Sequence, residues 1–125
     1  MDWPGVSVVV PVFQSTNSLS DLVARVDATL GPLGAHEIVL VDDGSQEATW
    51  STIAELSAHW PHVIGVRLGR NYGQHNALVA GIREASMPVT VTIDDDLQNP
   101  PQEIPRLVTT LLRDNLDVVY GVPEH

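Results

Sequence analysis

The sequence predicts an α/β protein with three α/β/α layers around a mostly parallel sheet. Three observations predict it. Short β-branched runs alternate with amphipathic segments of helical length along the whole chain. Strands separated by helices of this length pair in parallel through right-handed crossovers. Five of the ten aspartates fall at two points, Asp42-Asp43 and Asp94-Asp95-Asp96, each directly after an apolar run. Finally, 125 residues with 43% hydrophobic content suffice for one domain with a real core.

Val6–Val12 reads as a buried strand with Pro11 near its end. Ser18–Leu30 reads as a helix with Asn17 or Ser18 as N-cap, an inward stripe of Leu19, Leu22, Val23, Val26 and Leu30, and a stop at Gly31-Pro32. Glu37–Val41 is a second strand, and a helix follows over Glu47–His59. Val63–Leu68 is a third strand, Gly69–Gly73 a loop, and Gln74–Ala85 a third helix. Val89–Ile93 is a fourth strand. A helix beginning at Pro101 or Gln102 runs to Arg113, and Asp117–Tyr120 is a fifth strand. A strand ending five residues before His125 raises the expectation that the native polypeptide continues.

Composition narrows the function. The net charge of −10 opposes nucleic acid and anionic lipid as partners, because both attract basic surfaces. All six basic residues are arginine, which excludes a lysine-dependent phosphate loop and Schiff-base chemistry. The absence of cysteine excludes a disulfide framework and thiolate chemistry, and fits a reducing compartment. Apolar runs are far shorter than the roughly 20 residues of a membrane helix, and no signal peptide is visible at the N-terminus. The chain itself is therefore expected to be soluble and cytoplasmic.

Chemistry collects at the carboxyl ends of the predicted strands, the edge at which open α/β sheets bind ligands. Three adjacent carboxylates repel one another and must be solvated, protonated or neutralised by a cation. Asp94-Asp95-Asp96 is thus either a solvated acidic corner or a site for Mg²⁺ or Mn²⁺, which take oxygen ligands and substrate phosphates. Asp42 and Asp43 can accept hydrogen bonds from a nucleobase or ribose, with Gly44 permitting a tight turn; otherwise Asp43 or Ser45 only caps the next helix. In Gly69-Arg-Asn-Tyr-Gly73, Asn71 and Gly73 shape a turn into a helix whose first N–H groups can face an anion, and Arg70 can grip phosphate. The plain alternative is a turn without a ligand, with Gly81 present for close helix packing.

Together, Val8–Phe13, Val41–Ser45, Leu68–Gly73 with Ala77 and Gly81, and Asp94–Pro101 resemble the family 2 inverting glycosyltransferases in order and spacing. The last segment is most similar to the branch that passes sugars to polyprenyl phosphates. The resemblance implies a GT-A fold, with residues 1–125 forming its Rossmann-like, nucleotide-sugar-binding N-terminal part. It implies a nucleotide pocket lined by Pro11, Val12 and Phe13, with Asp42 on the base and Asp43 and Gly44 shaping the wall. Arg70, Asn71 and Gly73 join the same pocket. Asp94 and Asp96 form the Asp-x-Asp pair and, with Gln98, hold Mg²⁺ or Mn²⁺; Asp95 lies against the nucleotide and is less essential. The implied donor is a UDP- or GDP-sugar, the acceptor a polyprenyl phosphate, and the place the cytoplasmic side of the membrane in a full-length protein. Gln14-Ser15 replaces the Asn-Glu usual in relatives, and Met87-Pro88 replaces Gly-Asp. Acceptor residues and the catalytic carboxylate are expected downstream of residue 125, so this chain alone is expected to hold a donor without turning it over. Other readings are a catalytically silent nucleotide-sugar-binding fragment, a phospho-acceptor receiver domain and a nucleotidyltransferase. The receiver needs a lysine and places its aspartate pair after the first strand; the nucleotidyltransferase needs a glycine-rich basic loop that Val12–Leu19 lacks. Self-association through an exposed sheet edge is a further expectation.

Overall fold

The computed structural model describes residues 3–13, 18–44, 46–70, 73–95 and 100–114. Among the described residues the sheet has four strands: β1 (Val6–Val12), β2 (His36–Asp42), β3 (Val63–Arg67) and β4 (Val89–Thr92). The helices between them are α1 (Leu19–Leu30), α2 (Glu47–His59) and α3 (Gln74–Glu84). A 3₁₀ turn (Pro101–Glu103) then leads into α4 (Ile104–Arg113). All strand pairings among the described residues are parallel, in the order β3-β2-β1-β4. The expected strand over Asp117–Tyr120 lies outside the described residues.

Strand period sets the layers. Side chains alternate across a sheet, so Val6, Val8, Val10 and Val12 share one face and Val9 the other. The first set packs with Ile38 and Leu40 against Leu19, Leu22, Val23, Val26 and Leu30 of α1, Ile53 and Leu56 of α2, and Ile104 and Val108 of α4. Val9, Val39 and Val41 pack on the opposite face with Ala77 of α3. The result is α1, α2 and α4 on one side and α3 on the other. Gly81 lets α3 lie close: a Cβ there would overlap Val9 and sit 2.9 Å from Val41 Cγ2.

Two expected details differ. Ser18 occupies the N-cap position of α1 but makes no capping hydrogen bond; its hydroxyl is used elsewhere. The last helix does not begin as an α-helix at Pro101: the Pro-Pro segment first winds a 3₁₀ turn, and α4 starts at Ile104 with Pro105 in its first turn, where a missing N–H costs nothing.

A buried carboxylate locks the amino ends of the strands. Glu37 Oε2 accepts bonds from Ser7 Oγ (2.6 Å) and the Ser86 N–H (2.6 Å), and Oε1 accepts from Ser86 Oγ (2.8 Å). Ser7 Oγ in turn accepts from the Met87 N–H at 3.1 Å. The network ties β1, β2 and the α3–β4 connection together. Burial raises the Glu37 pKa, but hydrogen bonds from Ser7 and from the Ser86 backbone and hydroxyl outweigh it and hold the carboxyl below its ordinary value.

Candidate functional site at the carboxyl edge of the sheet

The strand order places a topological switch beside β1. The chain proceeds from β1 outward to β2 and β3 on one side, then returns through α3 to β4 on the other. Such a switch opens a crevice at the carboxyl ends of the diverging strands. The register shows where it opens. Val9 pairs with Thr92, the Ile93 N–H donates to the Val9 carbonyl at 3.1 Å, and among the described residues no further β1–β4 pairing follows. In a parallel ladder, residues two apart bond to the same neighbour, so Pro11 sits where β1 would next bond to β4. It brings no N–H to that side. On the other side β1 stays paired through Val12, opposite Asp42.

Asp42-Asp43 and Asp94-Asp95 stand at this end of the sheet on the two strands that flank β1. Asp42 ends β2 and is fully buried; Asp43 follows and is nearly so, its N–H donating to the Val12 carbonyl at 2.9 Å. Gly44 turns the chain at φ 73°, a conformation that favours glycine. On the β4 side, Ile93 is buried and Asp94 and Asp95 are half-buried. Phe13, just past β1 between the clusters, is 47% exposed, one of three large apolar side chains left open to solvent among the described residues. Pro11, Val12, Phe13, Asp42, Asp43, Gly44, Asp94 and Asp95 are thus brought to one edge. Gly73 caps the start of α3 at φ 93°, and Arg70 is exposed in the loop before it. Asn71, Asp96 and Gln98 lie outside the described residues.

Two contributors were missed by sequence reasoning. Arg67, the last residue of β3, lies with Nε 3.9 Å from Asp42 Oδ2, pairs with Glu47 at 2.7 Å and sits over the Trp50 ring at 5.4 Å. A cation beside a fully buried carboxylate offsets part of its desolvation. Its position at a strand's carboxyl end was the available signal. Ser18 donates its hydroxyl to the Asp95 carbonyl at 2.7 Å, linking the start of α1 to the aspartate loop. No local pattern announces a bond between residues 77 apart.

What the edge can do follows from its groups. Buried and half-buried carboxylates with an exposed ring beside them accept N–H and O–H groups and stack on a flat ligand. The aspartate loop offers oxygen donors, the set that suits Mg²⁺ or Mn²⁺ rather than softer ions.

Comparison with known proteins places this arrangement. The chain is 48% identical over 105 residues to the undecaprenyl-phosphate 4-deoxy-4-formamido-L-arabinose transferase of Klebsiella pneumoniae subsp. pneumoniae, covering 82% of this chain and 32% of that protein. It is 47% identical over 123 residues to the protein of the same name from Shewanella sediminis, covering 96% and 37%. The chain therefore spans about a third of the length of these curated relatives. Among solved structures, it superposes on the mannosyltransferase PcManGT from Pyrobaculum calidifontis, determined in complex with GDP-Man and Mn²⁺, with a TM-score of 0.74 at 23% identity, covering 85% of this chain and 32% of that one. It superposes on S. aureus TarS with a TM-score of 0.71 at 19% identity, covering 99% and 23%. These likenesses show a shared GT-A fold. The sequence model of glycosyl transferase family 2 aligns with residues 7–125, nearly the whole chain, and the protein belongs to that family.

Proposed function

We propose that this chain is the donor-binding part of an enzyme that transfers a sugar from a UDP- or GDP-sugar to a polyprenyl phosphate, with inversion at the anomeric carbon. One observation supports the reading: Asp42-Asp43 and Asp94-Asp95 stand at the carboxyl ends of β2 and β4, the two strands that flank β1 at the topological switch. The acceptor is proposed from the curated relatives, whose names specify undecaprenyl phosphate.

Asp42 takes the hydrogen-bond donors of the base, with the Arg67 guanidinium 3.9 Å from that buried carboxylate helping to hold it in place. Phe13 and Pro11 form the apolar wall, and Gly44 shapes the turn beside it. Asp94, with Asp96 and Gln98, would hold a divalent cation. Their oxygen donors fit Mg²⁺ or Mn²⁺, which when bound supplies positive charge against the diphosphate leaving group. Asp95 contributes through its backbone: the Ser18 hydroxyl on its carbonyl fixes the loop that presents its neighbours. Arg70 and the helix start at Gly73 face the phosphates from the α3 side. The polyprenyl phosphate is already anionic, so alignment of its oxygen with the anomeric carbon matters more than strong base catalysis. The groups that hold it are assigned to the part of the relatives that this chain does not match, at the cytoplasmic face of the membrane. Among the described residues, no helix is long and apolar enough to cross a membrane.

A thermal-shift screen of UDP, GDP, ADP and CDP with Mn²⁺ tests this reading. UDP or GDP should raise the melting temperature of the chain well above the others. No stabilisation by any of the four, or equal stabilisation by all, would contradict it.

A further inference from the structure

At the opposite edge of the sheet, about 20 Å away along the seven residues of β2, three side chains from three elements converge. Asp27 comes from the last turns of α1, His36 opens β2, and His62 immediately precedes β3. Asp27 Oδ1 lies 3.4 Å from His36 Nε2 and 3.2 Å from His62 Nε2. Neither Nε2 has a hydrogen-bond partner although both are shielded from solvent. The His36 side chain is 9% exposed, and the two rings stand edge to face, 4.6 Å apart.

The tautomer of His36 makes this arrangement informative. Its Nδ1 lies 3.2 Å from the Gly34 carbonyl, which can only accept, so Nδ1 carries the proton. In the neutral ring Nε2 then presents a lone pair to a carboxylate oxygen. Two acceptors in that relation repel unless a proton or a metal cation lies between them. A backbone carbonyl on the remote ring nitrogen is the usual device for orienting a metal-ligating histidine. The spacing fits as well. Tetrahedral coordination with bonds near 2.0–2.1 Å separates ligand atoms by roughly 3.3 Å, and Asp27 Oδ1 stands 3.2 and 3.4 Å from the two imidazole nitrogens. All three donor atoms lie within 4.8 Å of one another. Trp60 stands beside His62 at 5.7 Å between ring centroids, an apolar wall next to the donors. Asp27 and His62 keep 33% and 22% exposure, leaving a path for an ion and a position for water.

We propose that Asp27, His36 and His62 bind a borderline divalent transition-metal ion, Zn²⁺ fitting best, as a staple joining α1 to the starts of β2 and β3. Two imidazoles and one carboxylate suit zinc and disfavour Mg²⁺, which prefers oxygen alone. The site is separate from the sugar-donor crevice and independent of the function proposed for it.

Calorimetry with ZnCl₂, in saturating Mg²⁺ to fill the oxygen site, tests the assignment. One equivalent should bind at micromolar zinc, persist in Asp94→Asn, and be lost in both Asp27→Asn and His62→Gln. Long-range ¹H–¹⁵N spectra of the unaltered chain should show both Nε2 resonances moving on zinc addition, a readout that stands even where a variant fails to fold. Absence of zinc binding, zinc retained in both variants, or unmoved Nε2 resonances would each overturn the proposal.

Discussion

At the scale of single residues, some positions act through their side-chain tips and others through their backbone. Asp95 is anchored at its carbonyl by Ser18, a bond that survives truncation of the side chain. Asp95→Ala should therefore change nucleotide affinity less than threefold, whereas Ser18→Ala, which removes the anchor, should weaken it by about 1 kcal/mol, roughly fivefold. Titration of UDP or GDP into the two variants checks the order. Glu37 makes a pH prediction. Its folded pKa lies below the ordinary 4.5, so its stabilisation is complete above that value and lost as pH falls through the lower folded value. Glu37→Gln should cost about 2–3 kcal/mol at neutral pH, because the amide brings donors to a site already full of them, and should flatten the acid limb of the stability curve. Urea melts from pH 3 to 7 read both effects.

At the scale of elements, hydrophobic period was a sound guide where the apolar stripe was unbroken. α2 spans Glu47–His59 as its pattern predicts, and every inward residue expected of α1 is buried. The pattern was weaker where proline intervened. Pro100-Pro101 mark a stop, but winding a 3₁₀ turn before α4 depends on how Pro101 and Ile104 bury themselves. Gly81 illustrates a residue whose plain reading was right: it is where α3 meets the sheet. Gly81→Ala should destabilise the fold by about 1–3 kcal/mol through overpacking against Val9 and Val41, despite the better helix propensity of alanine. Thermal denaturation followed by circular dichroism would show this as a lowered midpoint with unchanged helix content.

At the scale of the molecule, the candidate site was legible because strand ends are legible. Each aspartate cluster follows an apolar run, and a parallel sheet brings all such ends to one edge. Strand order was not legible. That β4 lies against β1 rather than β3 is a tertiary fact, and it is what turns two separate clusters into one crevice. The same limit hid Arg67 beside Asp42 and the Asp27–His36–His62 triad, whose members lie on three elements and share no local motif. The central claim is that the crevice binds a nucleoside diphosphate through a divalent cation. Calorimetry of UDP and GDP with the chain in Mn²⁺, repeated in EDTA and with Asp96→Asn, tests it most directly. One of the two should bind in Mn²⁺ and be lost in EDTA and in the variant; equal binding in Mn²⁺ and EDTA would contradict the claim.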